Sequence, residues 1–545
     1  MWRLGSIGGI GLFLAVALRA EEKPPLVTFG ETVEVRVINV EAVVTDRQGL
    51  PVAGLQPTDF RLRVDGKEVP IRYFSEIRGG TVLDRSGTPE PTLAGLPFLT
   101  PGQPVGTSYL VFLDEFFSVA RDRDRVLEAL SNQLGRIGPE DRMAIVAFDG
   151  ARLEMLSSWS SSSRELERVL RQARSRPTQG LQRLSEKRAF LMEQRDRRRF
   201  EVLREPLEGR LDVLEREYAE RIEEQVSRVA AAAAAALRAF AQPPGRKVML
   251  LFSGGWPFDP ADHVVQEVGR LVNEPGIRHG NELFADLVDT ANQLGYTIYA
   301  IDVPGLEAEG LVGADTGEAP APGEGSSGFR REQNVETTLL YLARETGGEA
   351  LLNGRRLESL DRAAEDTRSY YWIGFVPDWQ RDDVRRKIEL EVRRADLEVR
   401  ARAGYRDLSR QAEMTMAVES VLLLGDGPGV RPLDVRLDTP RKASLSTVKV
   451  FFEVAIPAEQ LAWLPNGTGL VTQLELRVAT LDDRGGRSQI PVIPLRFEAQ
   501  RPPAPGEMVR YRGELLLRKT RQRLVLAVSD VATSSIFSKT IEFRP

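Results

Sequence analysis

The residues whose types and spacing could do chemistry begin in Ser108-Tyr-Leu-Val-Phe-Leu-Asp-Glu-Phe-Phe-Ser118. An apolar strand, Tyr109 to Leu113, runs straight into Asp114 and Glu115, and Ser118 stands four residues after the aspartate. A carboxylate and a hydroxyl at the carboxyl end of a buried strand are hard oxygen donors where open α/β sheets bind ligands. The same side chains also suit capping of the helix that follows. Asp149 closes a second strand, and Ser253-Gly254-Gly255-Trp256 follows a third. Gly254-Gly255 lacks the Gly-x-x-x-x-Gly-Lys-Ser/Thr spacing of a phosphate loop, so it is not expected to hold a nucleotide. Asp302 ends a further strand with no His, Lys or Cys beside it to complete a catalytic pair.

Composition narrows the chemistry further. The chain has no cysteine and only two histidines, His263 and His279, which argues against zinc and against Cys-His or Ser-His hydrolysis. A formal charge of -5, with no basic patch interleaved with aromatics, argues against nucleic acid. Residues 1–20 carry Arg3, an apolar run from Leu4 to Leu18, and small residues at Ala17 and Ala20. They predict a signal peptide cleaved before Glu21 and a secreted or periplasmic protein with no membrane span after cleavage. Without cysteine, such a protein forms no disulfide and relies on core burial.

The elements that position these residues read as several domains. Residues 24–80 alternate apolar and polar positions (Val33, Val35, Val37; Phe60, Leu62, Val64) and turn at Asp65-Gly66, predicting a β-sandwich of immunoglobulin type. Residues 81–107 read as a linker. Residues 108–378 alternate strand and helix, with strands at 109–113, 142–148, 151–156, 247–252, 296–302 and 370–376. This predicts a central α/β, doubly wound, mostly parallel sheet. Within it, 181–241 reads as a helical coiled-coil insertion. Leu207, Leu211, Leu214, Tyr218, Ile222, Val226, Val229, Ala233, Leu237 and Phe240 recur at steps of three or four, giving one apolar seam. The expectation is an antiparallel hairpin, broken at Pro206, that projects from the domain. Residues 385–405 read as a β-hairpin and 412–545 as an all-β second sandwich.

Residues 108–378 resemble a von Willebrand factor type A domain. The resemblance is carried by the strand-Asp-x-x-x-Ser loop at 109–118, Met143-Ala-Ile-Val-Ala-Phe-Asp149, Lys247-Val-Met-Leu-Leu-Phe-Ser-Gly-Gly255 and Tyr296-Thr-Ile-Tyr-Ala-Ile-Asp302. The chain as a whole resembles the secreted, acidobacterial type of von Willebrand A-related proteins, through Tyr370-Tyr-Trp-Ile-Gly-Phe-Val-Pro377 and Val399-Arg-Ala-Arg-Ala-Gly-Tyr405. The family implies a binding module, not an enzyme. It also implies a metal held by Asp-x-Ser-x-Ser, a threonine and a second aspartate. Asp114 and Ser118 match, and Thr178 stands for the threonine. Phe116 replaces the middle serine and Gly254 the second aspartate, so two of five oxygen donors are missing. The expectation is a degenerate site with no cofactor, or at most weak Mg²⁺ or another divalent cation.

The functional expectation is therefore a protein-binding or adhesion module. The partner would be met by loops containing Glu115, Phe116 and Phe117 and Ser253, Gly254, Gly255 and Trp256. The alternatives are a metal-dependent hydrolase using Asp114, Glu115 and Asp149, and a structural envelope scaffold.

Overall fold

The structure is a computed structural model that describes residues 37–86, 101–200, 210–240, 245–265, 274–304, 324–378, 380–424, 431–467, 469–482, 488, 490–533 and 535–544. The signal-peptide segment, Pro206 and residues 24–36 lie outside the described residues. The protein is mixed α/β with several sheets.

The central sheet has six strands in the order Ala350–Leu351, Tyr296–Asp302, Arg246–Ser253, Thr107–Asp114, Arg142–Phe148 and Leu153–Ser160. The first five are parallel, and Leu153–Ser160 is an antiparallel edge. Each inner strand is buried on both faces, hence the continuous apolar runs. Alternate residues feed two cores. Leu110, Phe112, Val146 and Leu251 meet the helices Val213–Ala239, Ala285–Leu294 and Glu324–Thr346 on one face. Tyr109, Val111, Ile145 and Leu250 meet the helices Ala120–Asn132, Ser163–Arg174 and Ser359–Arg368 on the other. The strand order reverses between Thr107–Asp114 and Arg246–Ser253. Such a switch point leaves a crevice at the strands' carboxyl ends.

Five expectations need correction. The strand expected at 370–376 does not belong to the central sheet. Ser369–Phe375 lies antiparallel between Ile38–Asp46 and Tyr73–Arg78 in a separate five-stranded sheet, Leu397–Arg400 / Ile38–Asp46 / Ser369–Phe375 / Tyr73–Arg78 / Thr81–Ser86. Its run Tyr370-Tyr-Trp-Ile is buried on both faces because the sheet is covered on both. The first β module is thus not closed within 24–80. Strands from both sides of the α/β domain complete it, and the part of the supposed linker at Thr81–Ser86 is its edge strand. Residues 385–405 are not a hairpin: Arg385–Val392 pairs with Phe60–Val64 and Gly404–Arg406, whereas Leu397–Arg400 pairs with Ile38–Asp46.

The helical segment corrects the fourth expectation. Helices Gly180–Phe200 and Val213–Ala239 run antiparallel, since Gln194 meets Glu215, Phe190 stacks on Tyr218 at 4.3 Å, and Gln225 reaches Glu186. The second helix does not project. Asp212 caps it by accepting from Glu215 N at 2.8 Å, while Glu215 accepts from Asp212 N at 3.0 Å. Val226, Val229, Ala232 to Ala236 and Leu237 are fully buried in the core shared with the central sheet. The alanine run lets the helix axis approach the strands, so this helix is a crossover that covers the sheet.

Fifth, the segment 412–545 is not all-β. Helix Arg410–Leu424 precedes the strands and buries Val418, Val421 and Leu422 against Ala479, Val525 and Ala527. The strands beyond it form two sheets around one core that includes Val450, Phe452, Leu476, Leu526 and Phe537.

Candidate functional site

Asp114 ends its strand at the switch point and is 1% exposed. The chain turns sharply after it, and the turn folds its own N–H groups onto the carboxylate. Oδ1 accepts from Phe116 N and Phe117 N, both at 3.0 Å. Oδ2 accepts from Gly254 N at 2.9 Å and from the Trp256 indole Nε1 at 2.7 Å. Burial pushes the carboxyl above its ordinary range, and these four donors oppose that shift by favouring the charged form. None of the four comes from Ser118 or Thr178. Ser118 Oγ is buried without a hydrogen-bond partner among the described residues, and Thr178 is half-buried.

Glu115 points the other way. It is 1% exposed and paired with Arg176 at 2.8 Å and Arg123 at 3.7 Å. Burial raises its pKa, and the two guanidinium groups counter that. Arg123 also donates to the carbonyls of Arg174 and Arg176, at 2.8 and 3.0 Å, and so ties the 174–176 loop to the site. The sequence-based expectation missed both arginines. Arg123 carried a signal: it occupies a position on the apolar stripe that continues through Val126, Leu127 and Leu130. Asp149 is spent on a turn, its Oδ1 accepting from Ala151 N and Arg152 N.

The loop is closed from two sides by backbone. A Cβ on Gly254 would lie 2.3 Å from Ser118 N and 2.4 Å from Phe117 C. A Cβ on Gly180 would lie 2.3 Å from Ser118 O, to which Gly180 N donates at 3.1 Å. Gln179 N donates to Glu115 O at 2.8 Å. An aspartate at 254 would not fit without displacing the loop. Glycine there is therefore part of the packing as well as a lost ligand. Trp256 is fully buried, stacked on Phe284 at 6.2 Å, with its carbonyl held by Thr338 Oγ1 at 2.7 Å.

These contacts decide where the expected site residues lie. Glu115, Phe116, Ser253 and Trp256 are buried and present no side chain to a partner. Phe116 packs edge-on to Phe117 at 5.0 Å under the Arg183 guanidinium at 4.7 Å. Phe117, Gly254 and Gly255 remain partly accessible. Leu181, next to the Gly180 contact, is 66% exposed and stands at the same rim.

The oxygen set does not fit a divalent cation. Both Asp114 oxygens are already met by N–H donors, Phe116 and Gly254 bring no oxygen in their side chains, and Glu115 Oε1 is matched by arginines, which leaves Ser118 Oγ and Glu115 Oε2, too few for a divalent cation. No group of three or more acidic, His or Cys side chains with metal-holding geometry occurs among the described residues. Nor is any helix among them long and apolar enough to cross a membrane.

No family model matches the chain, and no curated protein matches it. Among solved structures, it is similar to a von Willebrand factor type A protein from Catenulispora acidiphila at 10% identity, over 95% of this chain and 75% of that one, with a TM-score of 0.21. It is similar to the pilus adhesin SpaC from Lactobacillus rhamnosus GG at 9% identity, over 90% and 62%, with a TM-score of 0.24. A third similarity is to the VWA domain of SpRpn10, at 11% identity over 34% and 94%, with a TM-score of 0.14. These overlaps are too slight to carry an argument.

Proposed function

We propose that this chain is an extracytoplasmic protein-binding module. In this proposal a von Willebrand A-type domain is inserted into an immunoglobulin-like sandwich, and its adhesion loop works without a metal. The observation that carries the reading is the saturation of Asp114. In a metal-dependent loop the carboxylate is kept for the ion, whereas here three backbone N–H groups and an indole take it. A loop fixed in one state is suited to constitutive contact, with the strand ends presenting a rigid rim of Phe117, Thr178, Leu181, Gly254 and Gly255. The export segment in residues 1–20 supports the extracytoplasmic setting.

The hydrolase alternative needs Asp114, Glu115 and Asp149 to act on water or substrate. Both Asp114 oxygens and Asp149 Oδ1 accept from N–H donors and Glu115 Oε1 is met by arginines, and no observation favours that reading over binding. The test is capture from envelope extract by the mature protein, with EDTA or with Mg²⁺, in wild type and in Leu181→Glu. The reading expects one stoichiometric protein partner, retained in EDTA and lost in Leu181→Glu. Capture that needs Mg²⁺ would contradict the metal-free loop, and equal capture by both proteins would exclude the rim.

A further inference from the structure

The amino ends of the central strands abut the first β module, and there the balance of polar groups is inverted. Arg246, 1% exposed, opens the strand Arg246–Ser253. Its guanidinium sits over the Tyr370 ring at 5.0 Å and meets Glu41 at 3.3 Å. Glu41 is paired in register with Trp372, and Tyr370 and Trp372 lie 6.0 Å apart on the same face of their strand. Arg402 is 9% exposed, donates from Nη1 to the Asn292 carbonyl, and lies within electrostatic reach of Arg246 and Glu41. Lys247, over the Tyr296 ring at 5.6 Å, also feels Glu41 and Arg402. Glu41 is the carboxylate that Arg246 and Arg402 share.

Five buried donors in this cluster make no hydrogen bond among the described residues: Arg246 Nε and Nη1, Arg402 Nε, Tyr370 Oη and Trp372 Nε1. Each unmet donor buried away from water costs on the scale of a lost hydrogen bond. Excess positive charge and surplus donors at one place are the two conditions for holding an anion. We propose that this cluster binds a small inorganic anion, chloride above all, between the β module and the α/β domain. Chloride is favoured over a tetrahedral oxyanion by the close spacing of rings and guanidinium. It accepts equally well from guanidinium, indole and hydroxyl donors and needs no partner of its own to accept from it. Such an ion would fasten the inserted domain to its host by satisfying donors from both.

The test is the melting temperature of the full mature chain in sodium chloride, sodium sulfate and sodium gluconate at matched ionic strength. The proposal expects chloride to raise the midpoint over gluconate by about 3 °C, saturably, through mass action on the folded state. It expects no such increment in Tyr370→Phe/Trp372→Phe, which removes two donors and leaves an aromatic ring at each position. An unchanged wild-type midpoint, an equal or larger rise in sulfate, or a chloride increment that survives in the double variant would overturn it. Should the double variant fail to fold, a bromide-soaked crystal of the wild type decides. An anomalous peak within hydrogen-bond reach of Trp372 Nε1 supports the site, and its absence refutes it.

Discussion

At the carboxyl end of Thr107–Asp114 one buried carboxylate meets four N–H donors, while at the amino end of the neighbouring Arg246–Ser253 two buried arginines share one carboxylate. Both places are buried, and both lie where the α/β domain meets loops or another module. In the first, every bond the charge needs is supplied by the chain itself, so the geometry is complete and closed. In the second, donors outnumber acceptors, so the geometry asks for something the described residues do not provide. The place with the more suggestive sequence motif is thus the closed one. The place open to a ligand carries no motif at all.

The comparison can be broken most strongly at Asp114. Asp114→Ala would orphan the Trp256 indole and three backbone N–H groups at once. We expect a loss of about 4 kcal/mol, read as a large fall in melting temperature. A loss below about 1 kcal/mol would mean the carboxylate is not the centre of the loop. Leu237→Ala probes the scaffold beneath both ends. If the helix Val213–Ala239 is core, the cost is about 3 kcal/mol by cavity formation; a projecting hairpin would lose almost nothing. Trp256→Phe removes a single N–H donor and part of a fully buried ring while leaving a phenyl near Phe284, so about 2–3 kcal/mol is expected. A cost equal to that of Asp114→Ala would assign the whole effect to packing.

The other end is sharpened by pH. Lys247 lies against the Tyr296 ring and feels Glu41 and Arg402, and its pKa falls from 10.5 to about 8 on folding, chiefly through burial. Between those values the unfolded chain binds more protons than the folded one, so stability rises with pH across the window and is lost as pH falls through about 8. Buried tyrosines such as Tyr109, raised to about 12, act in the opposite sense above pH 10 and are common to wild type and variant. In gluconate buffer the melting temperature of wild type should therefore gain on that of Lys247→Met as pH rises from about 8 to 10. A constant difference would show that Lys247 keeps its ordinary affinity for protons.

Much of the central sheet was legible because a strand buried on both faces writes a continuous apolar run, as Tyr109–Leu113 and Val248–Phe252 do. The same rule produced the misplacement of Ser369–Phe375. A middle strand covered on both sides in an antiparallel sheet writes the same run as a parallel one, and only its pairing with Ile38–Asp46 tells them apart. The spacing that makes a coiled-coil seam also makes a crossover helix, and the Leu207 to Phe240 pattern holds no mark of which surface covers it. At the candidate site, Asp114 was legible from its strand. Its partner Trp256 lies 142 residues away, and no local pattern reports that contact. Arg123 was legible in principle, as a charge on an apolar stripe. The cluster of Arg246, Arg402, Tyr370 and Trp372 is assembled from three distant segments and was not.

The central claim is that Asp114 is a carboxylate completed by the protein and not one kept for an ion. It is tested most directly by melting the mature protein with chelator and with about 1 mM Mg²⁺ or Mn²⁺, a concentration at which a weak extracellular-type site would begin to fill. The account predicts curves that overlay. A rise of several degrees with metal, abolished in a folded Asp114→Asn variant, would contradict it.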